Sequence, residues 1–275
     1  DNNWNEKTAV TLFEILIPNG FKETLKRKGN IIWQIDKNSA YYPWEILVDN
    51  SKNTKPFCIG SGMIRQLLTK DAQPKLDRLV DEKALIIADP QLENFINQLS
   101  GAAKEGKMIA NLMAKHNYKN DALINSTASQ IIESLFSSSY KILHLAGHGV
   151  LNTEEGCESG MAIGNNIFLT PSHIRQMSNL PELVFINCCH IGYIDANEER
   201  ETQEQFKLAA NIGTELIDKG VRVVIAAGWQ VDDEDAEIFA TEFYKRMFEG
   251  ETFGKAVRSA REEIYRKRKT NNNTW

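Results

Sequence analysis

Cysteine is scarce in this sequence: four in 275 residues, two of them adjacent. That is too few for a disulfide scaffold, and it points to a reducing, cytoplasmic setting. Long hydrophobic runs are missing too. The longest apolar stretch, Val223 to Trp229, is far too short to cross a bilayer, so no membrane role is expected. The polar start, DNNWNEKTAV, carries no signal-peptide core. There is no excess of positive charge. Lys and Arg total 32 against 37 Asp and Glu, a net charge of −5, which argues against nucleic acid as a direct partner. No internal repeat occurs, and low complexity is confined to Asn271–Asn273. Also absent are a Walker loop, a Gly-x-Ser-x-Gly elbow and a Gly-x-Gly-x-x-Gly turn; after Gly147-His148-Gly149, Asn152 stands where the third glycine belongs. NTPase, serine hydrolase and dinucleotide chemistry therefore fit poorly.

What is present is an ordinary globular composition, 42% hydrophobic and 25% charged, long enough for one large or two small domains. From about residue 81, short apolar runs alternate with amphipathic helical stretches, the pattern of a parallel sheet covered on both faces. The runs are ALIIADP (84–90), YKILHLAGHG (140–149), ELVFINCCH (182–190) and VRVVIAAGW (221–229), with DALINS (121–126) as a further strand. Between them, residues 91–116 place Phe95, Leu99, Ala102, Gly106, Ile109 and Met113 at helical spacing. Further helices are expected over Ala128–Phe136, around Phe206–Ile217 closed by Gly220, around Ala236–Met247 closed by Gly250, and from Phe253 to about Lys269. Residues 81–275 thus read as the core. Residues 1–80 read as an N-terminal extension or small subdomain, with strands at FEILIP (13–18) and IIWQID (31–36) and a short helix begun by Pro43. Tyr193–Gln205, rich in acid, reads as a long surface loop. The chain opens without Met and stops at NNNTW, as a piece of something longer would.

Two strand ends carry chemistry. One is Gly147-His148-Gly149; the other is Asn187-Cys188-Cys189-His190. Ligands of parallel α/β sheets gather at the carboxyl ends of strands. If the two strands are neighbours, an imidazole stands beside a thiol. A free thiol has a pKa near 8.5 and needs such a base to act as a nucleophile at neutral pH. Alone, either residue has a blander reading, the cysteine as a small core hydrophobe and the histidine as a hydrogen-bonded structural group. Zinc is a rival, with His144 and His148 near Cys188, Cys189 and His190. Yet residues four apart on a strand are about 13 Å apart, and adjacent cysteines rarely share one ion. A papain-like order of Cys58 before His190 has the spacing but lacks the surrounding motif. Asp232, Asp233, Glu234 and Asp235 open a helix, where acidic residues satisfy free N–H groups and the dipole; a substrate-pocket role stays open beside that one. Arg266, Lys267, Arg268 and Lys269 read as a solvated helix end.

HLAGHG followed by LVFINCCHIG resembles the CHAT-domain peptidases, relatives of caspases, separases and gingipains. YPWEIL (42–47), SGMAIG (159–164), LTPSHI (169–174), AAGWQVDDEDAEIFATEFYKRMFEG (226–250) and TFGKAVRSAR (252–261) resemble further blocks of that family in the same order. The resemblance implies an α/β, caspase-like three-layer sandwich: a mainly parallel central sheet with helices on both faces. It implies a cysteine endopeptidase with His148 and Cys189 as the catalytic dyad, Cys188 taking the motif's small-residue place, and backbone N–H groups of Gly149 and Cys189 as the oxyanion hole. No metal or organic cofactor is implied. By likeness to the separases' tryptophan-valine-aspartate block, Asp233, its neighbour Asp232 and Trp229 become substrate-binding residues and the residue before the cut (P1) leans to basic; Gln230 departs from that block. The implied partners are a protein substrate and a helical-repeat or sensor module, in the same parent chain or in a regulatory effector complex. The implied setting is bacterial defence or cell death, including CRISPR-linked and gasdermin-cutting systems, with allosteric activation. The alternative is a pseudoprotease that binds a partner through the same groove.

Overall fold

The computed structural model describes residues 5–27, 29–51, 54–68, 82–93, 95–150, 159–177, 179–190, 198–227 and 231–268. Its contacts divide the chain into two compact units, residues 1–68 with 234–275, and residues 69–233.

The first unit opens with α1 (Glu6–Leu16), capped by the Asn5 side chain, and α2 (Asn19–Leu25). FEILIP is thus the end of a helix rather than a strand. Ala9, Phe13 and Ile17 recur every four residues and are buried, whereas the intervening Ile15 points to solvent and gives the segment its strand-like look. Strand β1 (Ile31–Ile35) follows as expected. Pro43 precedes a single turn of 3-10 helix, Trp44–Ile46. After α3 (Phe57–Gly60), β2 (Met63–Leu67) pairs with β1 in parallel.

The second unit carries the site. Strand β3 (Lys83–Ala88) leads through α4 (Ser100–Lys115) to β4 (Lys119–Ile124), then through α5 (Ala128–Ser137) to β5 (Ile142–Val150). A hairpin, β6 (Gly160–Gly164) and β7 (Ile167–Leu169), and the short α6 (Pro171–Arg175) precede β8 (Leu183–His190). Helix α7 (Glu198–Lys219) and β9 (Val223–Ala226) complete it. The sheet order is β4-β3-β5-β8-β9, all parallel, with β6 and β7 antiparallel beyond β5. All five expected strands are present. Of the acidic loop expected at 193–205, residues 198–205 belong to α7, where Glu and Gln are good helix formers; 193–197 lie outside the described residues.

The chain steps outward from β3 to β4 and then back across to β5. That reversal puts the crossovers on opposite faces if each is right-handed. Packing agrees. Ile131 and Leu135 of α5 and Ile212 and Leu216 of α7 share a core with Leu85, Ile87, Leu143, Leu145, Val184 and Ile186. Helix α4 lies on the other face, and Gly106 is what brings it close. A Cβ there would stand 2.4 Å from the Cβ of Ala88.

The chain then returns to the first unit through α8 (Asp233–Phe248) and α9 (Phe253–Arg268). The basic end of α9 is not merely solvated. Arg268 Nε is 2.6 Å from the buried carboxylate of Asp235, and Arg268 Nη2 is 2.8 Å from Glu234. The hydrogen bonds that Arg268 donates to Asp235 and then to Glu234 raise the arginine's pKa further. Among the described residues, no helix is long and apolar enough to cross a membrane.

Candidate active site

Strands β5 and β8 run side by side in parallel, and their register pairs His148 with Cys189 and Gly149 with His190. Paired Cα atoms on adjacent strands lie about 5 Å apart. The two residues singled out in the sequence therefore meet at the carboxyl end of the sheet. β3 and β5 lie together here while the chain diverges to β4 on one side and to β8 on the other, the switch point at which such sheets take their ligands. Cys188 is buried in the apolar core. Strand alternation gives position 189 the parity of Asn187 and Phe185.

The His148 ring has a defined partner. Its Nε2 is 2.7 Å from the Asn97 carbonyl oxygen. A carbonyl can only accept, so Nε2 carries the proton and Nδ1 is the ring's basic nitrogen. Asn97 belongs to the segment leading from β3 into α4, and Asp89 holds that segment. Asp89 has a left-handed backbone (φ 47°) and is nearly inaccessible to solvent. Its Oδ1 accepts from the Leu99 N–H at 2.7 Å, and its Oδ2 accepts from Asn125 Nδ2 at 2.7 Å. Gln98 Nε2 donates to the Pro90 carbonyl at 3.0 Å. The N-terminal end of α4 thereby gains a carboxylate on an otherwise free N–H, and the Asn97 carbonyl is fixed two residues before it. The helix predicted over 91–116 accordingly begins only at Ser100, because Asn97, Gln98 and Leu99 are spent on these contacts.

Sequence reasoning missed Asp89, and it missed Glu105. The Glu105 carboxylate is 2% exposed and sits beneath the two strand ends. Its Oε1 is 3.1 Å from Nε2 of the fully buried His144, and its Oε2 accepts from Asn187 Nδ2. The His144 ring also lies 4.8 Å from that of Phe185. Glu105 thus ties α4 to β5 four residues before His148 and to β8 two residues before Cys189. A signal was available: Glu105 falls on the same helical face as Ala102 and Ile109, where a charged residue is out of place.

Leu99, Gly101, Ala102, Glu105, Gly147, Asn187 and Asp233 line an open cavity of about 250 Å3, its solvent included. Asp233 lies at the start of α8, and Oδ2 of its carboxylate would be 2.3 Å from a Cβ at Gly101. It lies near the N-terminal end of α4 as well, beside Gly101. Asp232 is exposed beside it and does not line the cavity. Trp229 lies outside the described residues. Gly149 is buried in β5, its Cα paired with Met161 in β6 as well as with His190. Among the described residues, no group of three or more His, Cys, Asp and Glu is placed to hold a metal ion. Cys58 is fully buried in α3, where burial pushes its thiol up to about 12. It is a packing residue of the first unit, not a nucleophile.

A mainly parallel sheet with helices on both faces, ending in a paired histidine and cysteine, is the architecture of the caspase-like cysteine peptidases. The Arg-specific cysteine proteinase gingipain R superimposes with a TM-score of 0.51 at 13% identity, over 96% of this chain and 65% of that one. The complex of the pro- and mature domains of Porphyromonas gingivalis RgpB superimposes equally well, with a TM-score of 0.51 at 15% identity over 95% and 67%. At such identities the likeness establishes the fold, and this chain spans about two thirds of the length of those structures. The family model of the CHAT domain matches residues 6–275, and the chain belongs to the CHAT-domain family. No curated protein matches the sequence.

Proposed function

We propose that the chain is a cysteine endopeptidase working through a His148–Cys189 dyad. The observation that carries this reading is the register of β5 on β8, which makes the two residues direct neighbours while the Asn97 carbonyl holds His148 in the tautomer that a base needs. Nδ1 of His148 takes the thiol proton, and the sulfur attacks the scissile carbonyl carbon. The resulting oxyanion rests on the backbone N–H groups of Gly149 and Cys189. As the C–N bond breaks, His148 returns the proton to the leaving amine. Water then hydrolyses the thioester, with His148 again as base. On the substrate side, Asp233 lines the cavity beside the dyad, and the family resemblance supports Asp233, Asp232 and Trp229 as substrate-binding residues. The substrate is a protein, cut in the cytoplasm. Family resemblance supports control by a sensor module or effector complex in bacterial defence or cell death.

A proteome-derived peptide library tests this reading. Wild-type chain should cut, and Cys189→Ala and His148→Ala should not. Cleavage that survives in Cys189→Ala overturns the dyad, and a wild-type chain that cuts nothing moves the weight to an enzyme that needs its activator or to the pseudoprotease.

A further inference from the structure

A buried charge stands at the end of β3. Among the described residues, the non-glycine positions with a left-handed backbone are Asp89, Glu93, Asn117, Asn125 and Asn166. Asparagine, neutral and well suited to that conformation, holds three of them. Asp89 alone of the five is buried, at 4% exposure; the others are exposed. A turn by itself does not need that charge, and a buried carboxylate is costly unless its oxygens are used. Here both are used, Oδ1 by the Leu99 N–H and Oδ2 by the Asn125 amide. Asn125, at the end of β4, also donates from Nδ2 to the Asp89 carbonyl at 3.0 Å and from its backbone N–H to the Ala88 carbonyl at 3.1 Å. The Asp89 N–H donates to the Ala146 carbonyl of β5 at 2.9 Å. Asp89 thus clasps the carboxyl ends of β3, β4 and β5 to the start of α4. Backbone strain that its surroundings hold in place gathers at functional sites. What this clasp holds is Asn97, two residues before Leu99, whose carbonyl accepts from His148 Nε2.

We propose that Asp89 is a positioning residue for the dyad: through the Leu99 N–H it sets the Asn97 carbonyl, and through that carbonyl the ring of His148. This rests on the peptidase reading and deepens it. Asp89 does not line the cavity at the strand ends, and its carboxylate reaches His148 only through the intervening backbone. Asn97 and Gln98 are exposed, so packing does little to fix the carbonyl between them; the hydrogen bonds of Gln98 and Leu99 do. His148 is half-buried, and among the described residues the Asn97 carbonyl is the hydrogen-bond partner of its ring. Released from that carbonyl, the imidazole turns about its side-chain bonds, and either nitrogen can carry the proton. Only a fraction of those states presents a bare Nδ1 to the thiol, and a misplacement of about 1 Å can cost about a hundredfold in rate. The loss therefore falls on kcat more than on KM.

Two readouts on the 275-residue chain test the proposal separately from the peptidase reading. Both use Asp89→Asn, which keeps an acceptor for the Leu99 N–H but turns an NH2 group onto that of Asn125, so the clasp opens with little change of shape. The first readout needs no turnover. In protein carrying isotope-labelled histidine, NMR should show the His148 Nε2–H, identified by its loss in His148→Ala, exchanging with water at least about tenfold faster in Asp89→Asn than in wild type. The second is kinetic. On a peptide that wild type cuts, kcat per folded molecule should fall about tenfold or more in Asp89→Asn, with KM within about threefold. Destabilisation alone would lower the folded fraction and leave both constants of the folded molecules as they were. If Asp89→Asn fails to fold, Asn125→Gly serves: glycine accepts the left-handed backbone and removes only the amide, with about a threefold change expected in both readouts. Unchanged exchange of the ring proton overturns the proposal, and so does an unchanged kcat; in the latter case the peptidase reading stands. Faster exchange in Asp89→Asn, in a chain that cuts nothing, supports the hold on the ring and counts against the peptidase reading alone.

Discussion

Each compact unit buries a glutamate, and the two are treated differently. In the first unit Glu45 faces Arg65, whose Nε is 2.8 Å from Oε1 and whose Nη2 also binds the carboxylate, while Arg261 Nη2 stands 3.8 Å away. Arg65 Nη1 donates onward to the Ala40 carbonyl, and Arg261 Nη1 to that of Met63. Burial pushes the Glu45 carboxyl up, but Arg65 and then Arg261 outweigh it, and the pKa falls below the ordinary value. In the second unit Glu105 has no such cations among the described residues, only Asn187 and His144. The first arrangement is closed and holds a unit together. The second links α4 to both strand ends beside a cavity, through an amide and an imidazole instead of guanidinium groups. The cysteines divide in the same way: Cys58 is sealed in a core, while Cys189 sits opposite a histidine. Burial and charge compensation together, rather than residue type, separate scaffold from site.

The largest effect expected is on the dyad. Cys189→Ala and His148→Ala should each lower kcat/KM by about a thousandfold or more, whereas Cys58→Ala should leave it within about twofold. Peptide cleavage by the three purified variants checks this, and equal losses in Cys58→Ala would erase the contrast between the cysteines. Next comes the closed cluster. Arg65→Ala leaves Glu45 buried without its main partner and should destabilise by about 2–3 kcal/mol, below the full buried-pair range because Arg65 is 30% exposed. Denaturant unfolding measures it. The pH dependence has a defined sign: a carboxyl with a lowered folded pKa stabilises above its ordinary value, so Glu45's contribution should be present above about pH 4.5 and fade as pH falls through the folded pKa. Glu45→Gln should flatten that acid limb. A smaller effect is expected where α4 meets β3. Gly106→Ala should cost about 1–3 kcal/mol, by forcing Ala88 and the helix apart. It should also lower cleavage by moving Glu105, a coupling that Arg65→Ala in the other unit should not show. The mildest is in thiol labelling. At pH 8 a thiol raised to about 12 is only about one part in ten thousand thiolate, so iodoacetamide should reach Cys58 only after unfolding.

The second unit was the more legible in the sequence, for a physical reason. Strands of a parallel sheet are buried on both faces and read as unbroken apolar runs, so ALIIADP and ELVFINCCH announced themselves, and the residues ending them stood out. Where exposure interrupts a pattern, legibility fails. Exposed Ile15 made α1 look like a strand, and the glycine-framed β6 and the three residues of β7 are too short to show a period. β2, half exposed, was missed as well. At the site, His148 and Cys189 were visible because their residue types declare their chemistry. Asp89 and Glu105 were not, since acidic residues usually lie on the surface. Their importance comes from burial, which only the packing of α4 on the sheet reveals.

The most direct measurement is digestion of a proteome-derived peptide library by wild type, Cys189→Ala and Cys58→Ala in parallel. The account predicts cuts by wild type and Cys58→Ala, none by Cys189→Ala, and Arg or Lys before the cut. Cleavage that persists in Cys189→Ala, or that vanishes in Cys58→Ala with the fold intact, would contradict it.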